Sequence, residues 1–438
     1  NSEGIQTGIY TKKAEYNRDG HAVKITDSYG ETTHYTYDNR GNLIKIVNPL
    51  GGVTLYQYDY TDRKIAEVSP KNYIEGKPIS QMSRTEFRYD STGKLAAQID
   101  YVNENGTLKE VVTKTYFYDE LGHVTRELDA YGNGAVYTYH PNGKIATEIS
   151  AIDAADETGQ MTVFTYNVYN NLAKEERQGY TVNYTYDSMG NLVSVRDSLG
   201  DVISYSYDIL GRKITETDGN GNVTTYTYNA FGNISSIKKP GDSSIDELTI
   251  FTQYDLNGRE RIVYDTAGNR TEYKYDTLGN ITAILEIDSA NGEKLEKVYE
   301  YDLNSNLVRS IDEAGTITTV KYDALGRVKE ESIHSDTLLT KVKTTVYEYD
   351  ANGNCISKTD WLGNRTTYVY DERDRLIEEY DALNNLVSSN AYDYNGRLIS
   401  KTDALNNTTY YSYDAAGNLS SVIDPMNAVT TYKYDSHN

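Results

Sequence analysis

One short phrase recurs along this sequence and constrains its fold more than any other feature. Each copy has a tyrosine, usually an aspartate, two variable residues, and then usually glycine and asparagine or arginine, as in residues 37–42, 186–191 and 413–418. Nineteen copies are present, and ten of the eighteen intervals between them are 21 residues long. A fixed period of this length is typical of one small unit stacked on itself. We therefore predict one continuous repeat array over residues 1–438 rather than several domains.

Each unit reads as two short strands and two turns. In the copy at 186–208, residues 186–190 and 197–200 predict the turns, and the residues between and after them predict the strands. Both turns read Asp-x-x-Gly, because Asp accepts hydrogen bonds from backbone N–H groups ahead of it and Gly adopts the left-handed conformation that closes the turn. The turn residues singled out by this pattern are Asp38, Gly41, Asp187, Gly190, Asp208, Gly211, Asp276, Gly279, Asp414 and Gly417.

Aromatic residues sit two apart before almost every turn. This spacing places both rings on one face of a strand, and stacked copies should align them into a ladder. Each cross-strand contact in such a ladder contributes roughly 0.2–1 kcal/mol, and we expect the tyrosine face to be the better buried. The ladder residues predicted from four copies are Tyr35, Tyr37, Tyr184, Tyr186, Tyr205, Tyr207, Tyr226 and Tyr228.

The predicted fold class is all-β: a long antiparallel sheet of two-strand units coiled into a spiral, tube or hollow shell. About 38 strands at roughly 4.8 Å each give a ribbon about 180 Å long, which would form a ring roughly 60 Å across if it coiled once. Helical periodicity is absent. Six longer intervals contain polar insertions, which we expect to form elongated hairpins or loops on one edge. The insertions occupy residues 70–80, 103–108, 150–160, 240–247, 288–297 and 335–339.

Composition argues against several function classes. The formal net charge is −22, so the chain lacks the basic stripe that nucleic acids and anionic membrane surfaces require. No stretch of about 18 apolar residues predicts a membrane span. Cys355, the single cysteine, excludes an internal disulfide framework and occupies a position that is leucine in other copies.

No motif in the sequence predicts catalysis or a cofactor. The six histidines do not pair at metal-ligand spacings, and neither a nucleophile elbow nor a phosphate loop is present. The Asp-rich turn at 218–222 resembles a calcium loop only superficially, since turn capping alone explains its aspartate. We predict no metal, no cofactor and no enzymatic activity. Trp361 lies in a predicted turn, where it either anchors a partner or contacts the neighbouring hairpin.

The repeats resemble the tyrosine-aspartate (YD) or Rhs repeat, whose pattern is Tyr-x-Tyr-Asp-x-x-Gly-Arg/Asn-Leu. Residues 35–43 read Tyr-Thr-Tyr-Asp-Asn-Arg-Gly-Asn-Leu, and the likeness covers nearly the whole chain. That family includes bacterial Rhs polymorphic toxins, wall-associated proteins, the shell component of Tc toxins and the teneurins. The resemblance implies a β-sheet spiral that closes into a hollow cocoon, which in the toxins encloses a C-terminal toxic domain. In teneurins it implies an extracellular adhesion scaffold.

Three functions follow from this resemblance. The first is a shell segment of a large secreted bacterial protein that encloses or presents a toxin or other cargo domain of the same parent. The second is a cell-surface adhesin that binds a glycan or protein. The third is a self-assembling fibre element, in which edge strands of separate molecules pair. We expect the chain to be a fragment of a longer protein, and no self-cleavage, because the only Asp-Pro, at 424–425, lies in an ordinary turn.

Overall fold

The computed structural model describes residues 12–152, 159–200, 202–241, 247–290, 292–334 and 342–434. The described chain forms a single sheet of 37 strands, joined by turns and one short 3-10 helix, Ile79–Gln81. Consecutive strands pair antiparallel along the whole ribbon, from β1 with β2 to β36 with β37. The predicted all-β fold class is therefore confirmed.

The odd-numbered strands, up to β35, all end on a motif tyrosine. They are β1 Lys13–Tyr16, β3 Thr32–Tyr37, β5 Val53–Tyr58, β7 Arg84–Tyr89, β9 Thr107–Tyr118, β11 Gly134–Tyr139, β13 Gln160–Tyr166, β15 Tyr180–Tyr186, β17 Val202–Tyr207, β19 Val223–Tyr228, β21 Leu248–Tyr254, β23 Arg270–Tyr275, β25 Lys294–Tyr301, β27 Ile317–Tyr322, β29 Val342–Tyr349, β31 Arg365–Tyr370, β33 Leu386–Tyr392, β35 Thr408–Tyr413 and β37 Val429–Thr431.

The even-numbered strands follow the motif turns. They are β2 Ala22–Thr26, β4 Leu43–Val47, β6 Lys64–Val68, β8 Leu95–Glu104, β10 Val124–Leu128, β12 Ile145–Ile152, β14 Leu172–Arg177, β16 Leu192–Asp197, β18 Lys213–Thr217, β20 Ile234–Lys239, β22 Glu260–Asp265, β24 Ile281–Ile287, β26 Leu307–Ile311, β28 Val328–His334, β30 Cys355–Thr359, β32 Leu376–Tyr380, β34 Leu398–Asp403 and β36 Leu419–Ile423.

The ribbon has two unlike edges. We call the edge formed by the turns after odd-numbered strands the tyrosine edge, and the edge formed by the turns after even-numbered strands the opposite edge. A β-bulge accompanies each motif tyrosine: Ser206 pairs with Thr215, but Tyr207 pairs with Lys213, so one residue of the next strand is skipped. The same shift occurs beside Tyr37 and Tyr413. Because bulges increase local twist and bend a strand, their repetition on one edge coils the ribbon.

Contacts between residues far apart in sequence show how tightly the ribbon coils. Ser28, after β2, bonds Asn304, after β25. Lys71, after β6, bonds Asn352, after β29. Asn395, after β33, bonds Asp129, after β10. Each pair joins the two edges across 23 strands, so we define one coil as 23 strands and the line of contacts as the seam.

The coil is narrower than the sequence arithmetic predicted. Twenty-three strands at roughly 4.8 Å give a circumference of about 110 Å and a diameter of about 35 Å. The figure of roughly 60 Å applied to a ribbon that coils once, whereas the seam contacts show that a coil contains only 23 strands. The bulge beside each motif tyrosine, which that arithmetic left out, provides the additional curvature.

The insertions emerge from one edge, as predicted. The described residues of the insertions at 70–80, 103–108, 150–160, 240–247 and 288–297 all follow even-numbered strands, on the opposite edge. β8 and β9 extend into a long hairpin closed by Asn105 and Gly106, both with positive φ. The loop between β6 and β7 holds the 3-10 helix. Residues 153–158, 242–246 and 335–341, which include the insertion expected at 335–339, lie outside the described residues.

Burial is shared between the two faces of the sheet. Tyr184 and Tyr186 are half-buried, while Thr185 between them is exposed, as expected for a tyrosine face that is the better covered. The expectation is wrong further along the strands. The deeply buried Val53, Ala66 and Val68 lie on the face opposite the tyrosines.

Candidate functional site

The motif turns share one hydrogen-bonded geometry. Gly190, Gly211, Gly232, Gly279 and Gly417 have φ between 76° and 98°, a conformation that favours glycine. In the turn that begins at Asp187, Oδ1 accepts from the N–H groups two and four residues ahead. The turns that begin at Asp38, Asp208, Asp276 and Asp414 also place the aspartate Oδ1 at the N–H four residues ahead.

The asparagine or arginine that closes each motif bonds the same aspartate. Asn191 Nδ2 donates to Asp187 Oδ2 at 2.9 Å, and Arg212 Nε donates to Asp208 Oδ2 at 2.7 Å. These side-chain bonds, together with the backbone N–H groups, stabilise the ionised carboxylate and lower the pKa of both aspartates. Each of these turns is therefore stabilised by hydrogen bonds among its own residues.

The closing side chain also reaches the turn of the next copy. The guanidinium of Arg212 stacks on the Tyr228 ring with 4.6 Å to the ring centroid. Arg327 both stacks on Tyr349 and donates to the carbonyl of Asp350 at 3.0 Å. Where histidine takes this position, its ring stacks instead, as His21 does on Tyr37 at 4.8 Å between centroids. The turns on the tyrosine edge therefore form a connected column.

The second tyrosine of each motif joins neighbouring units through its hydroxyl. Tyr207 Oη donates to the carbonyl of Leu192, at the start of the preceding strand, at 2.7 Å. Tyr37 and Tyr228 make the equivalent bonds to Ala22 and Lys213. Fourteen such bonds occur in the described part of the chain. The sequence predicted rings of successive copies as neighbours in a ladder, but an even-numbered strand lies between them, so that Tyr205 pairs with Glu216. This use of the hydroxyl was not predicted.

The first tyrosine of each motif has a different environment. Tyr184 Oη lies 3.1 Å from Glu175 Oε1, and burial together with this carboxylate raises the pKa of Tyr184 to about 12. Tyr205 and Tyr226 lie beneath the ammonium group of Lys213, at 5.6 Å and 4.7 Å from the ring centroids. Lysine and glutamate therefore alternate with the rings along this face.

The seam concentrates the longest-range polar contacts of the molecule. Lys71 Nζ donates to the carbonyls of Tyr370 and Asp371, the latter at 2.7 Å. Glu372 accepts from the Ser83 hydroxyl and, at 2.5 Å, from the Asn103 N–H. Arg373 Nε lies 3.1 Å from Asp100 Oδ2, and both side chains are largely buried. These contacts hold one coil against the next.

The seam is a structural site that sequence reasoning missed. The third residue of a seam turn on the tyrosine edge is usually asparagine, as at Asn304, Asn352 and Asn395, and it bonds the opposite edge. That asparagine is the one feature of the sequence that indicates a seam. Its partner could not be predicted without knowing the 23-strand coil, since it is about 260 to 300 residues away.

The described residues contain no candidate metal site. Within 12–152, 159–200, 202–241, 247–290, 292–334 and 342–434, no cluster of three histidine, cysteine or acidic residues is suited to holding a metal ion.

Burial raises the pKa of the Cys355 thiol, whose Sγ donates to the Ser357 carbonyl at 3.3 Å. Trp361 is half exposed and lies beneath Lys343 Nζ, 5.3 Å from the ring centroid.

Two family models match this arrangement of repeats. The Teneurin YD-shell model matches residues 74–263, and the RHS Repeat model matches residues 16–53, 38–72, 349–386, 392–425 and 413–438. The chain belongs to the YD/Rhs-repeat family. The resemblance predicted from the sequence is thereby confirmed. A search of curated proteins finds no match.

Solved structures with the same fold include TcdB2-TccC3. It superposes with a TM-score of 0.71, 17% sequence identity and coverage of 96% of this chain but 24% of that one. TcdB2-TccC3-Cdc42 superposes with a TM-score of 0.72 and 17% sequence identity, covering 96% of this chain and 24% of that one. A Photorhabdus luminescens Tc holotoxin pore superposes with a TM-score of 0.71 and 16% identity, covering 96% of this chain and 23% of that one. The YD/Rhs-repeat chain thus spans about a quarter of the length of these structures.

Proposed function

We propose that this chain is a non-enzymatic wall segment of a larger secreted YD/Rhs-repeat protein, whose coiled sheet encloses or presents a toxin or other cargo domain. The observation that carries the proposal is the seam. Contacts such as Asn395 with Asp129 turn a ribbon into a continuous curved wall, which an isolated binding module does not need.

The chemistry of the wall supports a structural role. The aspartates of the motif turns are bonded to their own turns, and the motif tyrosine hydroxyls to neighbouring strands, so both are engaged in holding the sheet. Solved structures of the same fold include TcdB2-TccC3-Cdc42 and TcdB2-TccC3 without its hypervariable C-terminal region, which indicates an exchangeable C-terminal part in those proteins. By analogy, the partner of this wall is a domain of the same parent chain.

Secretion or display at the cell surface is part of the same proposal. The relevant family models are a teneurin shell and the Rhs repeat. In the part of the chain that the structure describes, no helix is long and apolar enough to cross a membrane.

Electron microscopy of the parent protein tests the proposal. The wall function predicts a closed or nearly closed hollow particle with additional density inside or docked at one end. Removal of the cargo domain should leave the particle intact and its centre empty. An open ribbon that carries no enclosed or docked domain contradicts it.

An adhesin is the second candidate, since exposed aromatic residues such as Trp361 can anchor a partner. Saturable binding of the purified chain to glycans or cell-surface proteins, lost in Trp361→Ala and retained in Tyr60→Ala, would favour it. Absence of such binding favours the wall.

A further inference from the structure

The seam involves only part of each edge. It joins the opposite edge between β2 and β10 to the tyrosine edge between β25 and β34. Six consecutive turns on the tyrosine edge of the first coil instead carry a large apolar side chain that is 54% to 106% exposed. These residues, which we name the tyrosine-edge row, are Tyr169, Met189, Leu210, Phe231, Leu256 and Leu278.

A second apolar row lies on the opposite edge of the second coil. Four consecutive turns there present Leu362, Leu383, Leu405 and Met426, all exposed. We name them the opposite-edge row. The side chains of each row recur at every second strand, about 10 Å apart along the edge. An exposed apolar side chain at every turn of an edge marks a candidate interaction site.

The seam shows that these two types of edge bind each other. Where a tyrosine-edge turn meets an opposite-edge turn, the rings of Tyr394 and Tyr131 lie 6.1 Å apart. Asn304 Nδ2 donates to Asp27 Oδ2 at 3.1 Å, and Ser28 Oγ donates to Asn304 Oδ1 at 2.6 Å. At two seam turns the contact therefore includes an Asn-to-Asp bond, Asn304 with Asp27 and Asn395 with Asp129, and at the second of these an aromatic pair accompanies it.

Each half of the Asn-to-Asp bond recurs in one turn of a row, the asparagine at Asn257 and the aspartate at Asp424. In the other three turns of the opposite-edge row a closing asparagine bonds the aspartate Oδ2. The turn Asp255-Leu256-Asn257-Gly258 repeats the order Asp-Leu-Asn found in the seam at residues 302–304. Asp424 resembles Asp27, because the residue four ahead, Ala428 or Glu31, donates only its backbone N–H. The second carboxylate oxygen is therefore not bonded by a closing asparagine or arginine, as it is at Asp208.

We propose that the tyrosine-edge row of one molecule binds the opposite-edge row of a second copy, continuing the seam from one molecule to the next. The occupant is a second copy because each molecule carries both halves of a contact that it already makes with itself. This contact is heterologous, so it produces head-to-tail assemblies that grow. The inference is independent of the proposed wall function and differs from pairing of edge strands.

Two variants with one defective edge each test the proposal. Leu210→Asp with Phe231→Asp disables the tyrosine-edge row, and Leu383→Asp with Leu405→Asp disables the opposite-edge row. Sedimentation velocity is measured in about 1 M NaCl, where the Debye length is about 3 Å and repulsion between highly charged copies is screened. The matched control, Asn39→Asp with Ser91→Asp, adds the same charge to tyrosine-edge turns outside the row.

The expected results are specific to a head-to-tail contact. The unsubstituted chain and the control form oligomers that grow with concentration, and each edge variant alone remains a monomer. An equimolar mixture of the two edge variants forms dimers and nothing larger, because each copy retains one intact row. If an aspartate variant loses its β-sheet circular dichroism signal, it is replaced by the corresponding serine variant at the same positions. The same results are then expected for the serine variants.

Three results would overturn the proposal. They are an unsubstituted chain that is monomeric at every concentration, an edge variant that still self-associates, and a mixture that yields no dimer. The second would indicate contacts between like edges.

Discussion

Asn395 donates a hydrogen bond from Nδ2 to Asp129 Oδ2, although 266 residues separate them. The same aspartate starts an opposite-edge turn whose own N–H groups bond its other oxygen. One carboxylate thus holds a turn and a seam together. Asn304 repeats this relationship with Asp27, and Asn352 crosses the seam by donating to the Ser69 hydroxyl instead. Together these contacts convert a local repeat into a coiled wall.

Substitution of a motif glycine tests the column of turns. Gly41 and Gly232 have nearly equal φ, 91° and 89°, but a Cβ at Gly41 would lie 2.8 Å from His21 Cε1, whereas nothing lies within 4 Å at Gly232. In each alanine variant, backbone strain at positive φ lowers the free energy of unfolding by about 1–3 kcal/mol. We expect Gly41→Ala to lower the free energy of unfolding further than Gly232→Ala, by about 1 kcal/mol, in urea titrations. Equal losses would show that the His21 contact is unimportant.

Removal of one hydroxyl tests the ladder. Tyr207→Phe keeps the ring but deletes the bond to the Leu192 carbonyl, and it should cost about 0.5–1.5 kcal/mol. Tyr60→Phe is the matched control, because Tyr60 is exposed and its loss should be negligible. Chemical denaturation measures both. A Tyr207→Phe variant as stable as the parent would show that the hydroxyl bond does not stabilise the sheet.

The seam should respond to loss of the Glu372 carboxylate. Glu372→Ala removes the acceptor of the Ser83 hydroxyl and the Asn103 N–H, and bonds to charged groups contribute about 1.5–3 kcal/mol each. Hydrogen exchange should therefore accelerate at Asn103 while protection within β17 and β18 is retained. Glu296→Ala, which removes an exposed partner 3.8 Å from Lys274, should change little. Unchanged exchange at Asn103 would contradict a seam that depends on Glu372.

Acid should weaken the turns. Hydrogen bonds from Asn191 and Arg212 lower the folded-state pKa of Asp187 and Asp208 below the ordinary 3.8, so the unfolded chain binds more protons in acid. This stability is present above pH 3.8 and is lost as the pH falls through the depressed values. Unfolding midpoints should be level from pH 7 to pH 5 and drop below pH 4. Asp187→Asn should show a smaller drop, and an equal drop would assign the acid sensitivity to other groups.

The local unit could be predicted from sequence because its chemistry is local. The positive φ of Gly190 and the bonds accepted by Asp187 lie within one turn. Coil size and seam could not be predicted, since bulge curvature accumulates over 23 strands and Asn304 meets Asp27 only after a full coil. Asn257 has the same local pattern as Asn304 but follows β21, which has no described strand 23 positions earlier, so position along the coil determines which turns dock within one molecule.

The 23-strand coil is tested most directly by cross-linking across the seam. In a Cys355→Ser background, Ser28→Cys with Asn304→Cys joins residues whose native side chains lie 2.6 Å apart. Ser28→Cys with Asn352→Cys uses another turn of the same edge as a control. A short bis-maleimide followed by mass spectrometry under monomeric conditions should link 28 to 304 efficiently and 28 to 352 hardly at all. Equal linkage of both pairs, or no linkage of the first, would contradict the coil.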